Sequence, residues 1–299
     1  MENCQKLASG HRTCRGCTAV PQTARYVLSQ VDGPCVVSNA TGCMEVTTTI
    51  YPNTSWNVPY IHSVFGNAAA TISGVESAYK SLVKQGKIKK KEDVKFIVFA
   101  GDGGSYDIGL QALSGALERR HNFLFVCYDN GGYMNTGNQR SSATPYGAVT
   151  TTTPDGILED GKKLFRKNLT KIVAAHDIEY IATAAVSHRK DFLMKVKKAL
   201  NVKGPAFLNV LAPCTLGWKF PEDMGITISR LGVETNFWPL YEIINGKYKI
   251  NYIPKKRKPI TEFIKHQGRF KHLFKAENKH IIPKIQKHID SEWDKLKNY

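Results

Sequence analysis

The sequence predicts an α/β protein, in which a parallel sheet is flanked by helices, and three features of the pattern lead to this prediction. Residues 94–100 (VKFIVFA) and 123–128 (FLFVCY) are nearly continuous apolar runs, which is typical of strands buried on both faces. Residues 206–211 (AFLNVL) form a further run of this kind. Helical patterns lie between these runs, and strands that alternate with helices predict a parallel sheet with right-handed crossovers.

The remaining predicted elements continue this alternation. Short strands are predicted at residues 35–38 and 180–184. Helices are predicted at residues 65–84, 110–120, 158–176 and 190–200. The helix over 65–84 begins with small residues, and the helix over 110–120 has apolar residues at helical spacing.

The chain divides into a predicted α/β domain, residues 1–244, and a basic C-terminal extension, residues 245–299. The extension carries 15 Lys and Arg against 5 Asp and Glu, out of a net charge of +17 for the whole chain. We expect an edge strand at 248–252, an extended connector at 254–259 and two helices at 260–274 and 282–296. The basic charge fits a solvated surface, a docking face for an acidic protein or a nucleic-acid-binding arm.

Composition and patterning exclude some classes of protein. The sequence contains no run of about 18 apolar residues, so we expect no transmembrane helix and no membrane partner. The first residues are polar and do not resemble the apolar segment of a secretory signal, which predicts a cytoplasmic protein.

The turn after the first buried run has the composition of a phosphate-binding and metal-binding site. Gly101, Asp102, Gly103 and Gly104 follow that run, and Asn130 follows the next one. The carboxyl ends of neighbouring parallel strands lie at one edge of a sheet, where ligands bind. Glycines let backbone approach a phosphate, and carboxylate and amide oxygens suit Mg²⁺. This spacing resembles the thiamine-diphosphate signature, so we predict a thiamine-diphosphate-binding fold.

A dinucleotide-binding loop is the alternative interpretation of these glycines. It is disfavoured because the sequence has no G-x-G-x-x-G at this turn and because only Asp129 stands near the position of a ribose-binding acidic residue.

The seven cysteines do not suggest a disulfide framework, since their number is odd and no secretory signal is present. Cys14 and Cys17 form a C-x-x-C pair, and Cys43 and Cys214 are dispersed. From spacing alone these four could bind an iron–sulfur cluster, bind zinc, or bind nothing. No role is predicted for Cys4, Cys35 or Cys127, because the first lies near the terminus and the others lie in apolar strands.

These motifs and their flanking residues resemble the β subunit of multi-subunit pyruvate:ferredoxin oxidoreductases (pyruvate synthases), which are 2-oxoacid:ferredoxin oxidoreductases. The resemblance runs through nearly the whole chain. It rests on residues 10–17 (GHRTCRGC), 39–45 (NATGCME), 101–109 (GDGGSYDIG), 133–137 (YMNTG), 139–147 (QRSSATPYG), 212–218 (APCTLGW) and 267–273 (QGRFKHL).

The resemblance implies roles for individual residues. Cys14, Cys17, Cys43 and Cys214 would hold one [4Fe–4S] cluster, and Asp102, the Asn130 side chain and the Gly132 carbonyl would hold Mg²⁺. Asn135 and Thr136 would lie at the reacting centre. The residues implied in cofactor binding are Gly42, Cys43, Gly101, Asp102, Gly103, Gly104, Asn130, Tyr133 and Asn135. His62 is a weaker candidate for lining the cofactor cleft, and Trp218 and Phe220 would shield the cluster.

The resemblance also implies an activity and partners. The activity is the reversible, thiamine-diphosphate-dependent oxidative decarboxylation of pyruvate to acetyl-CoA and CO₂. Coenzyme A is the co-substrate, and electrons pass through the cluster to ferredoxin. The partners are α, γ and δ subunits, and the chain would be inactive without the α subunit.

Two alternatives to this activity are considered. One is a related 2-oxoacid or oxalate oxidoreductase. The other is a zinc-stabilised basic protein that binds nucleic acid, which leaves the pairing of GDGG with Asn130 unexplained. We therefore expect no nucleic-acid partner.

Overall fold

The structure is a computed structural model that describes residues 5–89, 93–156 and 160–299. Within these residues the strands, in chain order, are β1 Cys35–Ala40, β2 Tyr60–Ser63, β3 Lys95–Gly101, β4 Leu124–Asp129, β5 Tyr180–Ala185, β6 Ala206–Leu211, β7 Tyr241–Ile244 and β8 Lys247–Ile250. They form one sheet in the order β2-β1-β3-β4-β6-β5-β7-β8. All pairs from β2 to β5 are parallel, whereas β7 and β8 are antiparallel at one edge.

The helices lie around this sheet. In chain order they are α1 Ala19–Leu28, α2 Cys43–Thr48, α3 Ala68–Lys84, α4 Leu110–Glu118, α5 Leu169–Ala174, α6 Arg189–Leu200, α7 Thr215–Trp218, α8 Gly225–Glu234, α9 Ile260–Ile264 and α10 Ile281–Lys297. A π-helical turn covers Gly103–Asp107, and 3₁₀ turns cover Glu222–Met224, Gly268–Phe274 and Ala276–Asn278. No helix in the described part of the chain is long and apolar enough to span a bilayer.

The sheet has a core on each face because successive side chains of a strand point to opposite faces. On β3, Ile97 and Phe99 belong to the same buried cluster as residues of α1 and α6. Phe96 and Val98 belong to a second cluster with residues of α3 and α4. This double burial explains why the central strands appear in the sequence as continuous apolar runs. The predicted α/β fold with a largely parallel sheet is confirmed.

The predicted strands match the structure to within a few residues. The run at 206–211 coincides with β6, and the runs at 94–100 and 123–128 differ from β3 and β4 by one residue at each end. The edge strand predicted at 248–252 is β8. The sequence analysis did not predict β2 or β7, which have only four residues each.

The helix predicted over residues 158–176 is wrong for most of its length. Residues 157–159 lie outside the described residues, and helix α5 is confined to Leu169–Ala174. Gly161 has φ +78° and lies against the carbonyls of Gly147 and Ala148, so an α-helix cannot pass through it. Asn168 begins the helix, because its side chain accepts a hydrogen bond from the Lys171 N–H at 3.0 Å.

The single helix predicted over residues 260–274 is also wrong. Helix α9 ends at Ile264, Gln267 is extended (φ −112°, ψ 117°), and a 3₁₀ turn follows over Gly268–Phe274. The extended conformation is held by the side chain of Gln267, which donates to the Phe263 carbonyl and accepts from Arg269 Nε.

The C-terminal extension is packed closely against the rest of the chain. Ile260, Phe263 and Phe270 share a buried cluster with Leu211 of β6 and Trp218 of α7. Farther along, Trp293 and Leu296 of α10 join the cluster on the α3 face of the sheet. A domain boundary at residue 244 stays a prediction. The segment brings side chains of the last 40 residues close to the carboxyl edge of the sheet.

Candidate cofactor and metal site

Four neighbouring strands deliver the candidate residues to one edge of the sheet. The loops after β1, β3, β4 and β6 begin at Thr41, Asp102, Asn130 and Ala212, and these strands are adjacent in the order β1-β3-β4-β6. All four are parallel, so their carboxyl ends face the same way. The Gly42–Cys43 turn, the Gly-Asp-Gly turn, the Asn130 loop and the Cys214 loop therefore lie side by side, as the spacing predicts.

The glycines after β3 are required by close packing. A Cβ at Gly103 would overlap the ring of Tyr133, and a Cβ at Gly104 would lie 3.2 Å from the Phe65 carbonyl oxygen. Tyr133 is fixed by its hydroxyl, which donates to Asp107 Oδ2 at 3.1 Å, and by its N–H, which donates to the Gln139 carbonyl. The loop that carries Tyr133 is therefore seated directly on the glycine turn.

Asp102 is fully buried and forms no ion pair within the described residues. Its Oδ1 accepts a hydrogen bond from the Asn130 N–H at 3.1 Å, and its Oδ2 accepts one from the Ser141 hydroxyl. Burial, followed by repulsion from Asp129, raises the pKa of the Asp102 carboxyl to about 8. A carboxylate in this position would be stabilised by a bound cation.

The side chain of Asn130 brings oxygen atoms together beside Asp102. The side-chain atom assigned as Oδ1 lies 2.9 Å from the Gly132 carbonyl oxygen and 2.9 Å from Asp102 Oδ1. If the amide is turned, its nitrogen donates to both oxygens. If it is not turned, the Asn130 oxygen lies 2.9 Å from each of the other two oxygens, which matches the edge of an octahedron with Mg–O distances of about 2.0–2.1 Å. The donor set and its spacing fit Mg²⁺.

Asp129 belongs to a separate buried network. It accepts hydrogen bonds from the Tyr106 hydroxyl at 2.6 Å and from the Gly131 N–H at 3.1 Å, and it pairs with Arg166. Asn209 Nδ2 donates to the same Tyr106 hydroxyl at 2.8 Å. Asp129 is therefore occupied by protein groups and is not open to a ribose, which disfavours the dinucleotide alternative.

The four candidate cysteines surround one region beside this edge. Cys14 and Cys17 lie in a turn closed by a hydrogen bond from the Cys17 N–H to the Cys14 carbonyl. Burial, followed by the charges of Cys214, Cys17 and Cys14 in that order, raises the pKa of the Cys43 thiol to about 12. Burial also raises the pKa of Cys214 to about 11, although its Sγ accepts a hydrogen bond from the Gly217 N–H at 3.3 Å.

The C-x-x-C turn is anchored to the Cys214 segment. The Thr215 hydroxyl donates to the Arg15 carbonyl at 3.1 Å, and Arg15 pairs with Glu222 at 3.2 Å. Gly16 has φ +67°, and a Cβ there would overlap the backbone of Glu222. Among the described residues, no three His, Cys, Asp or Glu side chains lie close enough together to hold a single metal ion. None of the six described cysteines forms a disulfide.

The other residues named from the sequence lie in different parts of the structure. Asn135 and Thr136 are exposed at the tip of the loop after Tyr133, and Thr136 bonds only to groups of its own loop. His62 lies on β2 with Nε2 2.7 Å from the Thr41 hydroxyl and Nδ1 3.6 Å from Glu45 Oε1. Cys35 and Cys127 are buried in strands, and Cys4 lies outside the described residues.

Several contacts that hold this site together were not predicted from the sequence. Trp218 is buried, and its indole N–H donates to the Asn130 carbonyl at 2.6 Å, which joins the Cys214 segment to the Asn130 loop. Arg269 lies over the Trp218 ring at 3.8 Å. Ser141 had been noted only within a matching motif. These contacts connect residues 39–88 positions apart, and no local pattern indicates such pairings.

The comparisons with known proteins agree with this geometry. The model of the thiamine pyrophosphate enzyme C-terminal TPP-binding domain matches residues 40–210. The chain is 51% identical to the pyruvate synthase subunit PorB of Thermotoga maritima, over 97% of this chain and 90% of the relative. It is 52% identical to the PorB subunit of Methanocaldococcus jannaschii, over 96% of this chain and 94% of the relative.

A further relative and a solved structure are also similar to the chain. The ketoisovalerate oxidoreductase subunit VorB of Pyrococcus abyssi is 46% identical, over 98% of this chain and 93% of the relative. A solved 2-oxoglutarate:ferredoxin oxidoreductase from Magnetococcus marinus has the same fold, with a TM-score of 0.58 at 19% identity. That match covers 94% of this chain and 96% of the other.

The fold and the site therefore define a thiamine pyrophosphate enzyme. Within that class, the chain belongs to the family of pyruvate synthase PorB subunits.

Proposed function

We propose that the chain is the β subunit of a pyruvate:ferredoxin oxidoreductase and binds thiamine diphosphate, Mg²⁺ and one [4Fe–4S] cluster. The observation that carries the proposal is the position of the Asn130 side-chain amide, 2.9 Å from both the Gly132 carbonyl oxygen and Asp102 Oδ1, beside a buried carboxylate that forms no ion pair within the described residues. Membership of the PorB family supports the same activity. Thiamine diphosphate would supply the carbanion chemistry that decarboxylates a 2-oxoacid.

In this proposal the chain's own residues hold the cofactor and exclude water from it. Asp102, the Asn130 side chain and the Gly132 carbonyl would bind Mg²⁺, which in turn would hold the diphosphate. Gly42, Gly101, Gly103 and Gly104 line the same edge, and Tyr133 closes over the turn. Ser141 and the Asn130 N–H orient the Asp102 carboxylate toward the cation.

The four cysteines would supply the electron path. Cys43 follows β1 and Asp102 follows β3, and these strands are adjacent, so a cluster held by Cys14, Cys17, Cys43 and Cys214 would lie next to the cofactor. A cubane keeps its four thiolates farther apart than a single ion does, because iron and sulfide occupy the space between them. Cys43 and Cys214 are each within electrostatic range of Cys14 and Cys17, which supports a ligand shared by all four.

The reacting centre is expected to be shared with another subunit. Asn135 and Thr136, the proposed catalytic residues, are exposed, and the Thr136 hydroxyl bonds only within its own loop. The α subunit would cover this loop and would complete the site for pyruvate and coenzyme A. The γ and δ subunits and ferredoxin are the further partners, and the basic extension is a candidate docking face for acidic ferredoxin.

The substrate is the least constrained part of the proposal. The similarity to a ketoisovalerate oxidoreductase subunit is nearly as strong as that to pyruvate synthase subunits, so a branched 2-oxoacid is the second candidate. Comparison of kcat/KM for pyruvate and 2-ketoisovalerate in the assembled enzyme would decide between them. A preference for the branched substrate would leave the cofactor assignments intact and replace pyruvate.

The central experiment is anaerobic iron, sulfide and zinc analysis of the purified chain, with an EPR spectrum after reduction by dithionite. We expect about four iron and four sulfide per chain, as in a cubane cluster, and a signal that Cys43→Ala removes. Cys35→Ala is the matched control, because Cys35 is buried at the start of the strand that leads to Cys43. Zinc without iron would remove the electron path and overturn the oxidoreductase assignment.

A further inference from the structure

Arg269 is the most unusual charged side chain near the site. The residue is 2% exposed, and its Nε donates to Gln267 Oε1 at 2.9 Å. Its two terminal nitrogens, Nη1 and Nη2, have no hydrogen-bond partner among the described residues. A guanidinium has five N–H donors, and a buried cation without a counter-ion is strongly destabilising. The chain therefore holds a positive charge here that its own side chains do not neutralise.

The guanidinium lies between the two candidate centres. Its plane covers the Trp218 ring at 3.8 Å, and Trp218 is four residues after Cys214. On the other side, Nη1 lies 3.1 Å from the position that a Cβ on Gly131 would occupy. Gly131 follows Asn130 directly, so Arg269 contacts both the segment of a proposed cluster ligand and the loop of the proposed Mg²⁺ site.

The neighbouring charged groups indicate which of the two candidate centres the Arg269 guanidinium stabilises. Burial holds the pKa of Arg269 well below its usual value, and the Cys214 thiolate opposes this most strongly, ahead of Asp129 and Asp102. Arg166 is the nearby group of like charge. Asp129 already pairs with Arg166, and Asp102 is the proposed Mg²⁺ ligand, which leaves the cysteine side as the anionic environment without a cation of its own.

We propose that Arg269 is the counter-ion of the iron–sulfur cluster and raises the reduction potential of that cluster, an inference that rests on the proposed function. Four thiolates give a cubane cluster a net negative charge, and the electron it accepts makes that charge more negative. A fixed cation at low dielectric stabilises the reduced state more than the oxidised state, and the free N–H groups can donate to cluster sulfur. Arg269 is thus a positioning and tuning residue, since it contacts no substrate.

The first test is an EPR-monitored redox titration of the full chain with dithionite as the electron donor. Arg269→Met should lower the midpoint potential by the equivalent of about a tenfold change in the one-electron reduction constant, about 59 mV. Arg269→Lys keeps the charge and should stay near the wild-type potential. Lys271→Gln is the matched control for charge, because Lys271 is exposed two residues away, and it should leave the potential unchanged.

A second measurement separates a counter-ion from a structural brace for Trp218. In the cluster-free chain, Arg269→Met should leave the unfolding temperature unchanged or raise it, because it removes an unpaired buried charge. In the cluster-loaded chain the same variant should unfold at a lower temperature than wild type. A decrease of equal size in both states would show that Arg269 only supports the indole ring, and would overturn the proposal.

The remaining outcomes also decide the question. Wild-type potential in an Arg269→Met chain that contains four irons would overturn the counter-ion role but leave the cluster in place. An unchanged potential with at least tenfold weaker thiamine-diphosphate binding would assign the guanidinium to the diphosphate instead.

Iron content gives a further outcome. Loss of iron from both Arg269→Met and Arg269→Lys would show that the cluster requires the shape of the arginine side chain and not its charge. Loss of iron from Arg269→Met alone would support the counter-ion role. A wild-type chain without iron would overturn both this inference and the proposed cluster.

Discussion

Asp102, beyond the carboxyl end of β3, and Glu242, on the antiparallel strand β7, both carry carboxylates that are inaccessible to solvent. Both carboxylate oxygens of Glu242 lie 2.8 Å from Lys198 Nζ, and the carboxylate also accepts a hydrogen bond from the Tyr180 hydroxyl at 2.9 Å. Asp102 accepts hydrogen bonds from a hydroxyl and a backbone N–H, and it forms no ion pair in the part of the chain that the structure describes. The pKa of Glu242 is accordingly lowered, despite burial, by Lys198, Tyr180 and Asn251, whereas that of Asp102 is raised to about 8.

Glu242 and Asp102 therefore show two different roles of a buried carboxylate. The environment of Glu242 is complete within the chain, so that carboxylate contributes to the stability of the sheet edge. Asp102 would be neutralised only by a bound cation that the chain itself does not supply, which is the property expected of a residue in a ligand site. The predictions below test this distinction in order of decreasing effect.

The largest effect is expected from Asp102→Asn. It should weaken binding of Mg²⁺ and thiamine diphosphate by more than about 100-fold, since even the partners of metal ligands are typically worth 10–100-fold. The free energy of unfolding of the cofactor-free chain should stay the same or rise, because a desolvated carboxylate is removed. Isothermal titration calorimetry and chemical denaturation measure the two quantities.

Asp93→Asn is the control for this change, because Asp93 is exposed at the opposite end of the same strand. It should alter neither quantity appreciably. A destabilised cofactor-free Asp102→Asn chain would mean that Asp102 is structural, and the contrast with Glu242 would not hold.

Glu242→Gln should have the reverse signature. It should lower the free energy of unfolding by about 2 kcal/mol, below the range for a fully buried pair because Lys198 is partly exposed. Binding of thiamine diphosphate should not change. Urea denaturation of the two chains measures the difference, and a stability loss below about 0.5 kcal/mol would show that the pair contributes little.

The effect of Glu242→Gln should depend on pH in a defined direction. The folded-state pKa of Glu242 is lowered, so its stabilising contribution is present above the unfolded-state pKa of about 4.3 and is lost as pH falls through the folded-state value. The stability gap between wild type and Glu242→Gln should therefore be constant above about pH 5 and shrink in more acidic solution. A gap that widens toward acid would contradict the assigned ion pair.

The smallest effect is expected from Lys249→Gln. Lys249 lies 3.9 Å from Glu242, but its side chain is 67% exposed and screened by solvent. Its removal should change stability by less than about 0.5 kcal/mol. A loss comparable to that of Glu242→Gln would move the main counter-ion of Glu242 from Lys198 to Lys249.

The sequence alone predicted the parts of the fold whose signal is local. Continuous apolar runs located β3, β4 and β6, and the residues that follow β3 and β4 located Asp102 and Asn130 at the same edge. The helix over 158–176 failed because its interruption depends on Gly161 packing against the distant Gly147 and Ala148 carbonyls. Helical spacing of apolar residues does not report such a contact.

The candidate site likewise contains residues that the sequence could identify and contacts that only the structure shows. The cysteines and the Gly-Asp-Gly turn could be selected from residue type and spacing, although spacing alone left an iron–sulfur cluster, zinc and no metal all open. The buried pairs Trp218–Asn130 and Arg269–Trp218 join segments separated by dozens of residues, and only the packed chain brings them together. Asp129 also needed the structure, because its partner Arg166 lies in a segment for which the sequence had predicted a helix.

The hydrogen bond from the Trp218 indole to the Asn130 carbonyl has a consequence for how the protein matures. One residue fixes both the short helix that follows Cys214 and the backbone beside the proposed magnesium ligands. A chain that had received only one of the two proposed inorganic centres would therefore already hold the other site close to its final shape. Oxidative loss of one centre would in turn loosen the other, so partly damaged molecules would be expected to shed both and become recognisable for repair or removal.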